Sequence, residues 1–237
     1  KCQRGRTSAS PATHLWRSLG VIGPLTRTVE DSALIYDVLA GTLPTDAWVA
    51  DPLPQTLTQA YHSDVRPLRI AVTHRGGVRG LNADDETLTA LHATADALRA
   101  LGHVVTETDP PFPTIALPFT VQVAAGVADE AARADHPELL EHRTRTLLRL
   151  TAPLRGRVAW AEQHSITLGR RFADAFFSQF DLILMPTTAS PAVAIGQLDG
   201  LGALAASQRS TKESGFTAIW NVLGNPAAAI PSGFSRD

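Results

Sequence analysis

Between Asp84 and Leu101 the apolar residues Leu88, Leu91, Ala95 and Leu98 recur at three- and four-residue steps, the period of one helix face. The pattern predicts a helix there, closed by Gly102. A short apolar run, Leu68 to Thr73, precedes it and another, His103 to Thr106, follows; both read as strands. Strand, helix and strand in this order favour a parallel sheet with helices packed on it, because a parallel pair needs a crossover connection. A third run, Asp181 to Met185, is apolar after its first residue, the pattern of a strand buried on both faces, and Pro186 ends it. Ala227 to Ile230 is the last expected strand.

The rest of the chain reads as helices and connections. Thr28 can cap a helix with Asp31 at its third position, an arrangement that satisfies free amide groups, and Glu30 and Asp31 suit the positive end of the dipole. From Ala33 to Ala40 the residues are apolar almost all round apart from Asp37, so this helix is expected to be buried on most faces and to stop at Gly41. Pro44 to Pro54 reads as a surface connection. Residues 114–180 read mostly as helices broken near Pro137 and Pro153. A Gly/Ala/Ser-rich stretch from Gly196 to Ser207 is expected to be flexible and to lead into a short helix around Phe216 to Leu223. The expected fold class is α/β: a mixed, mainly parallel sheet covered by helices, in one domain over residues 1–237 and without internal repeats.

Composition narrows the chemistry. With 237 residues and 44% hydrophobic content the chain can bury a substantial core. A net charge of -2 gives no global reason to bind nucleic acid or an anionic membrane. The single cysteine, Cys2, cannot form an internal disulfide, and no Cys/His spacing suggests structural zinc. No apolar run is long enough to span a bilayer, and a cytoplasmic location is the expectation. His136 and His142, six residues apart, do not share a helix face and are expected to be exposed. The loop His74 to Gly80 follows a strand as a phosphate cradle would, but its glycines match neither the dinucleotide nor the P-loop spacing, so a surface loop is expected. Lys212 with Ser210 or Ser214 offers a Ser/Lys pair in principle; without a strand-to-helix elbow to fix a nucleophile, a solvated lysine is favoured. Arg27 and Asp31 are expected to serve capping and an ion pair rather than to clamp a substrate.

Four blocks, in order, resemble the amidase signature family of serine hydrolases that act on C–N bonds. Lys1-Cys-Gln-Arg-Gly-Arg-Thr-Ser8 is similar to the family's segment shortly after the nucleophile, with Cys2 where proline is common. Gly23 to Gly41, Phe176 to Thr188 and Phe216 to Pro231 supply the other three. The resemblance implies an uncommon serine mechanism, in which a serine activated through a second serine by a neutral lysine attacks the amide carbonyl and forms an acyl-enzyme. In the family those three residues lie upstream of the block matched by Gly23–Gly41, and residues 1–237 hold no Gly-Gly-Ser-Ser-like run. No catalytic residue is therefore assigned here, and Lys1 matches a later, structural position. The chain is expected to be the central and C-terminal part of an amidase domain, lacking the N-terminal catalytic segment and stopping short of the family's end. Alone it is expected to be inactive and to expose apolar surface.

By resemblance, the residues near substrate are Thr187, Thr188, Trp220 and Asn221, after the buried strand and in the Asn-x-x-Gly-x-Pro block. The implied substrate is a small linear carboxylic amide. The resemblance implies no metal or organic cofactor, no nucleic-acid or membrane partner, and leaves a homodimer open. Two other readings stand beside it: the amidase subunit of a tRNA-dependent amidotransferase, which releases ammonia from glutamine, and a non-catalytic binding or assembly module derived from an amidase.

Overall fold

A computed structural model describes residues 1–78 and 80–234, without the side chain of Lys212. Its centre is a sheet of three parallel strands in the order β2-β1-β3, with β1 Arg69–Val72, β2 Val104–Glu107 and β3 Leu182–Leu184. Register runs Ile70 opposite Val105 on one side and Leu182 on the other. Around it lie α1 (Val29–Leu39), α2 (Leu57–Tyr61), α3 (Asp85–Ala100), α4 (Ala116–Arg133), α5 (His142–Thr151), α6 (Val158–Phe176) and α7 (Ala203–Leu223). This is an α/β arrangement with an incomplete sheet. Among the described residues every strand pairing is parallel, and Ala227 to Ile230 forms no strand; Ala227 instead exchanges two backbone hydrogen bonds with Lys1, at 2.9 and 3.0 Å.

The central strand is apolar for a geometric reason. Its side chains alternate between two helical layers, so both faces are covered. Val72 packs with Leu91 and Ala95 of α3 on one face, and Ala71 packs with Phe172, Ile219 and Val222 of α6 and α7 on the other. Asp84 caps α3 by accepting from the Thr87 amide at 2.8 Å, and Gly102, with φ 90°, turns the chain out of the helix. β3 departs from the expected double burial. It pairs with β1 along one edge alone, and Leu182 is 48% exposed.

Two helices also depart from expectation. Helix α7 runs through 21 residues and takes in Ala203 to Ser207, where alanine's high helix propensity overrides the flexibility suggested by the small side chains. Helix α1 forms as expected, with Thr28 Oγ1 accepting from the Asp31 amide at 3.0 Å, but only Ala33 on it is buried. Leu34 is 58% and Val38 80% exposed. Among the described elements it packs chiefly on α2, which Asp37 holds by accepting from the amides of Leu57 and Thr58 at 2.6 and 2.9 Å. No ion pair joins Arg27 to Asp31 among the described residues.

The main core is an aromatic column. Phe112, Phe172, Phe176 and Phe180 stack at centroid spacings of 5.5, 5.5 and 5.0 Å, and Trp220 meets the first two edge-on. Helices α6 and α7 cross at Gly169, where the Leu223 carbonyl occupies the place a side chain would need. Gly169→Ala is therefore expected to destabilise the protein by about 1–3 kcal/mol through overpacking, read as a lower urea midpoint with an unchanged slope.

Candidate functional site

In open α/β sheets, ligands gather beyond the carboxyl ends of the strands, where loops leave in different directions. Here that edge is polar. Thr73 follows β1 almost completely buried; its amide donates to the Leu184 carbonyl at 3.1 Å, and its hydroxyl donates to Asp109 Oδ1 at 3.1 Å. The same hydroxyl accepts from the Arg75 amide at 3.1 Å, and Arg75 Nε lies 2.9 Å from Asp109 Oδ2. His74, His92 and Glu107 line a cavity of about 200 Å³ beside this group. Among the described residues no cluster of His, Cys, Asp and Glu could hold a metal ion.

The expected site residues fall into two places. Pro186 is buried directly after β3, and Thr187 and Thr188 are exposed at the same edge of the sheet, with Thr188 Oγ1 donating to the Ser190 carbonyl at 2.9 Å. Trp220 is 9% exposed and belongs to the core. Its Nε1 donates to Met185 Sδ at 3.2 Å, one residue before the Pro-Thr turn, so it supports the turn from beneath. Asn221 lies apart from this edge: its carbonyl accepts from Arg4 Nη2 at 3.0 Å, at the carboxyl end of α7.

Arg4 is the residue that sequence reasoning missed. Its Nη2 also donates to the Val222 carbonyl at 2.7 Å, its Nε donates to the Ser18 carbonyl at 3.2 Å, and its amide donates to the Gly224 carbonyl at 3.0 Å. A cation at the carboxyl end of a helix meets free carbonyls and the negative end of the dipole. Burial pushes the guanidinium down to about 10, against the favourable charge of Glu162. Lys1 closes the same helix end, its Nζ donating to the carbonyls of Cys2 and Asn225 at 3.1 and 3.0 Å; burial, then the charge of Arg4, pushes it down to about 8.

Ser18 belongs to a strained turn. Trp16, Arg17 and Ser18 take φ values of 47°, 51° and 68°, a left-handed run that non-glycine residues rarely adopt. Four contacts hold it. Arg17 forks Asp129 of α4 at 2.7 and 2.6 Å, Gln122 Nε2 donates to the Arg17 carbonyl at 2.7 Å, Arg4 holds the Ser18 carbonyl, and Trp48 Nε1 donates to Ser18 Oγ. Gln122 is fixed in turn by Ser165, whose hydroxyl donates to Gln122 Oε1 at 2.8 Å inside the α4–α6 contact. Glu162 of α6 lies in the field of Arg17, His14 and Arg4, yet burial raises its carboxyl above the ordinary value.

Other candidates resolve into structure. Ser214 Oγ donates back to the Ser210 carbonyl at 3.0 Å within α7, while the side chain of Lys212 lies outside the described residues. In the His74–Gly80 loop Arg75 is paired with Asp109, and Gly77 lies so close to Ile219 that a Cβ would come within 2.6 Å of it; Arg79 lies outside the described residues. The glycine there serves close approach to α7. His136 and His142 are exposed, His136 at 3.0 Å from Glu138. No helix among the described residues is long and apolar enough to cross a membrane.

Comparison with known proteins fits this frame. The sequence profile of the amidase family matches residues 1–237. The AmiA2 protein of Mycobacterium tuberculosis is 30% identical over 240 residues, which are 100% of this chain and 49% of that protein. An amidase of Pseudomonas putida is 29% identical over 242 residues, covering 98% of this chain and 50% of its own length. The solved structure of 6-aminohexanoate cyclic dimer hydrolase superposes with a TM-score of 0.82 at 22% identity, over 94% of this chain and 51% of that one. The chain belongs to the amidase family, the group its sequence motifs resemble, and it spans about half the length of the relatives it matches.

Two outcomes follow from the Arg4–Glu162 region. Arg4→Met removes three side-chain donors and leaves the carbonyls of Ser18, Asn221 and Val222 without them; a loss of about 2–4 kcal/mol is expected from urea unfolding. For Glu162 the folded state holds the proton more tightly than the unfolded chain. That contribution is complete below the ordinary value of 4.5 and is lost as pH rises through the raised folded value. Glu162→Gln should therefore gain stability relative to the parent as pH is raised from 4.5 upward, with no gain below it.

Proposed function

We propose that this chain is the scaffold and substrate-side half of an amidase that hydrolyses carboxylic amide C–N bonds through a serine acyl-enzyme. The observation that carries the reading is the family match along all of residues 1–237. The serine–serine–lysine set expected of the family is not assigned to any residue of 1–237, so chemistry comes from outside this stretch.

Within the chain, Thr187 and Thr188 face the substrate. Their hydroxyls stand exposed at the carboxyl edge of the sheet and can orient an amide by hydrogen bonding. Trp220 sets the height of that turn through Met185, and its buried ring offers the substrate no open face. Asn221 fixes the end of α7 through its backbone. The substrate is a small linear amide, and catalysis needs no metal or organic cofactor: the serine oxygen bonds the carbonyl carbon as the C–N bond breaks and the protonated amine leaves, and water then cleaves the ester, with side chains carrying the protons.

Purified residues 1–237 should release no ammonia from simple aliphatic or aromatic amides. A form extended to the full length of the relatives should release it, and Thr188→Val in that form should raise KM severalfold with little change in folding. Turnover by 1–237 alone would overturn the assignment of chemistry outside this stretch. Ammonia release from glutamine alone, and only with a partner chain, would favour the amidotransferase-subunit reading.

A further inference from the structure

The cavity of about 200 Å³ at the carboxyl ends of β1 and β2 is lined by residues of both strand ends and of α3. Side-chain alternation explains its make-up. Val72 and Val105 lie on the α3 face of the sheet, where they pack with Leu88, Leu91 and Ala95. Glu107 follows Val105 by two residues and stands in register with Val72, so it continues the same face. The apolar row therefore ends in a carboxylate. His74, two residues after Val72, and His92, next to Leu91, line the cavity with it. Backbone bonds carry the ladder one residue past the strands, from the Thr108 amide to the Val72 carbonyl at 3.0 Å and from Thr73 to Leu184 at 3.1 Å. The cavity walls are thus fixed, while His74, His92 and Glu107 remain open to solvent.

The two carboxylates that reach this cavity differ. Asp109 is engaged by the Thr73 hydroxyl at 3.1 Å and by Arg75 at 2.9 Å. Glu107 has neither an ion pair nor a hydrogen bond among the described residues, and the rings of His74 and His92 have none either. We infer that the cavity binds the primary ammonium group of a small aliphatic amine. An ammonium carries three N–H donors and no acceptor, and a carboxylate with two neutral imidazoles offers three acceptors to match. With Arg75 matched to Asp109, the charge left facing the cavity is that of Glu107, which repels an anion and attracts a cation. Val72 and Leu91 give an alkyl stem an apolar wall. The volume lies below the roughly 300–1,000 Å³ of sites for drug-sized ligands, so the amine is limited to a few heavy atoms. A metal ion would need its donors about 2.0–2.2 Å from one point, and no three His, Cys, Asp or Glu among the described residues are so placed. An ammonium accepts the wider spacing of ordinary charged hydrogen bonds, about 2.8 Å. The inference is independent of the amidase reading.

The probe is ethylammonium, titrated at pH 8 and constant ionic strength while the histidine ring Cε1–H signals are followed by NMR. The signals of His74 and His92 are identified by their loss in His74→Gln and His92→Gln. Both should move saturably, with a Kd of about 1 mM or weaker for a ligand of so few atoms. Tetramethylammonium has the same charge and no N–H donor, and it should move neither. Glu107→Gln should weaken binding by about tenfold or more, the worth of a hydrogen bond to a charged group. Glu107 is exposed at a strand end, so circular dichroism and the urea midpoint should be unchanged, which separates binding from folding. Glu141→Gln removes an equal charge before α5 and should leave the titration as it was. Where 1–237 does not stay in solution, the form extended to the length of the relatives carries the same test. Equal movement with tetramethylammonium, binding undiminished in Glu107→Gln, or no movement with ethylammonium would each overturn the inference. Zinc held by the same two rings more tightly than the amine would overturn it in favour of a metal site.

Discussion

The guanidinium of Arg4 ties the N-terminal arm to two other places in the chain. It reaches the last turn of α7 and the carbonyl of Ser18 in the left-handed turn, while the backbone amide of Arg4 bonds Gly224 at the same helix end. Removing it frees the carboxyl end of the longest helix, and that helix carries the aromatic and aliphatic residues on which the sheet rests. Helix α7 contributes Phe216, Ile219, Trp220, Val222 and Leu223 to the core. The placement of Met185, and with it the Pro-Thr turn, follows from Trp220.

The strained turn completes the same connection. Three consecutive positive φ values are tolerated because the surroundings over-determine them: two residues of α4, Arg4 and a tryptophan each hold a different atom of the turn. The anchors lie on α4 and on Arg4, so the N-terminal arm is fastened to the helical layer at two separate heights. Fixing both leaves little freedom for the arm to swing. An arm of this kind suits a protein in which neighbouring segments must be presented in one orientation.

Much of the centre was legible from residue pattern, for local reasons. The strands β1 and β2, the helix between them, and the cap at Thr28 depend on periodicity and on side chains that bond within three residues. The fate of Leu34 and Val38 was not legible, because an apolar helix face shows only that something is wanted against it. The start of α7 was missed since small residues read equally as linker or as helix, and packing on the core decides between them. Arg4 left no signature at all. Its partners are backbone carbonyls 217 and 218 positions away, and a carbonyl is common to every residue type. Of the expected site residues, Thr187 and Thr188 lie at the sheet edge, while Trp220 is packed into the core.

The bond between Ser165 and Gln122 has a consequence beyond holding one turn. Both side chains are sealed between α4 and α6, and each has its polar atoms paired: Ser165 with Gln122 and the Ala161 carbonyl, Gln122 with Ser165 and the Arg17 carbonyl. Apolar helix faces slide past one another at modest cost, since one methyl group substitutes for another. Shifting α6 by a single turn would take the Ser165 hydroxyl, which keeps the Ala161 carbonyl of its own helix, away from Gln122 and leave the Gln122 amide oxygen without its donor in a water-free contact, at about 1–3 kcal/mol. The pair thus acts as an indexing pin for the helical layer. It adds little to the strength of the contact and a great deal to its uniqueness, so that of the many alignments two greasy helices could share, one survives.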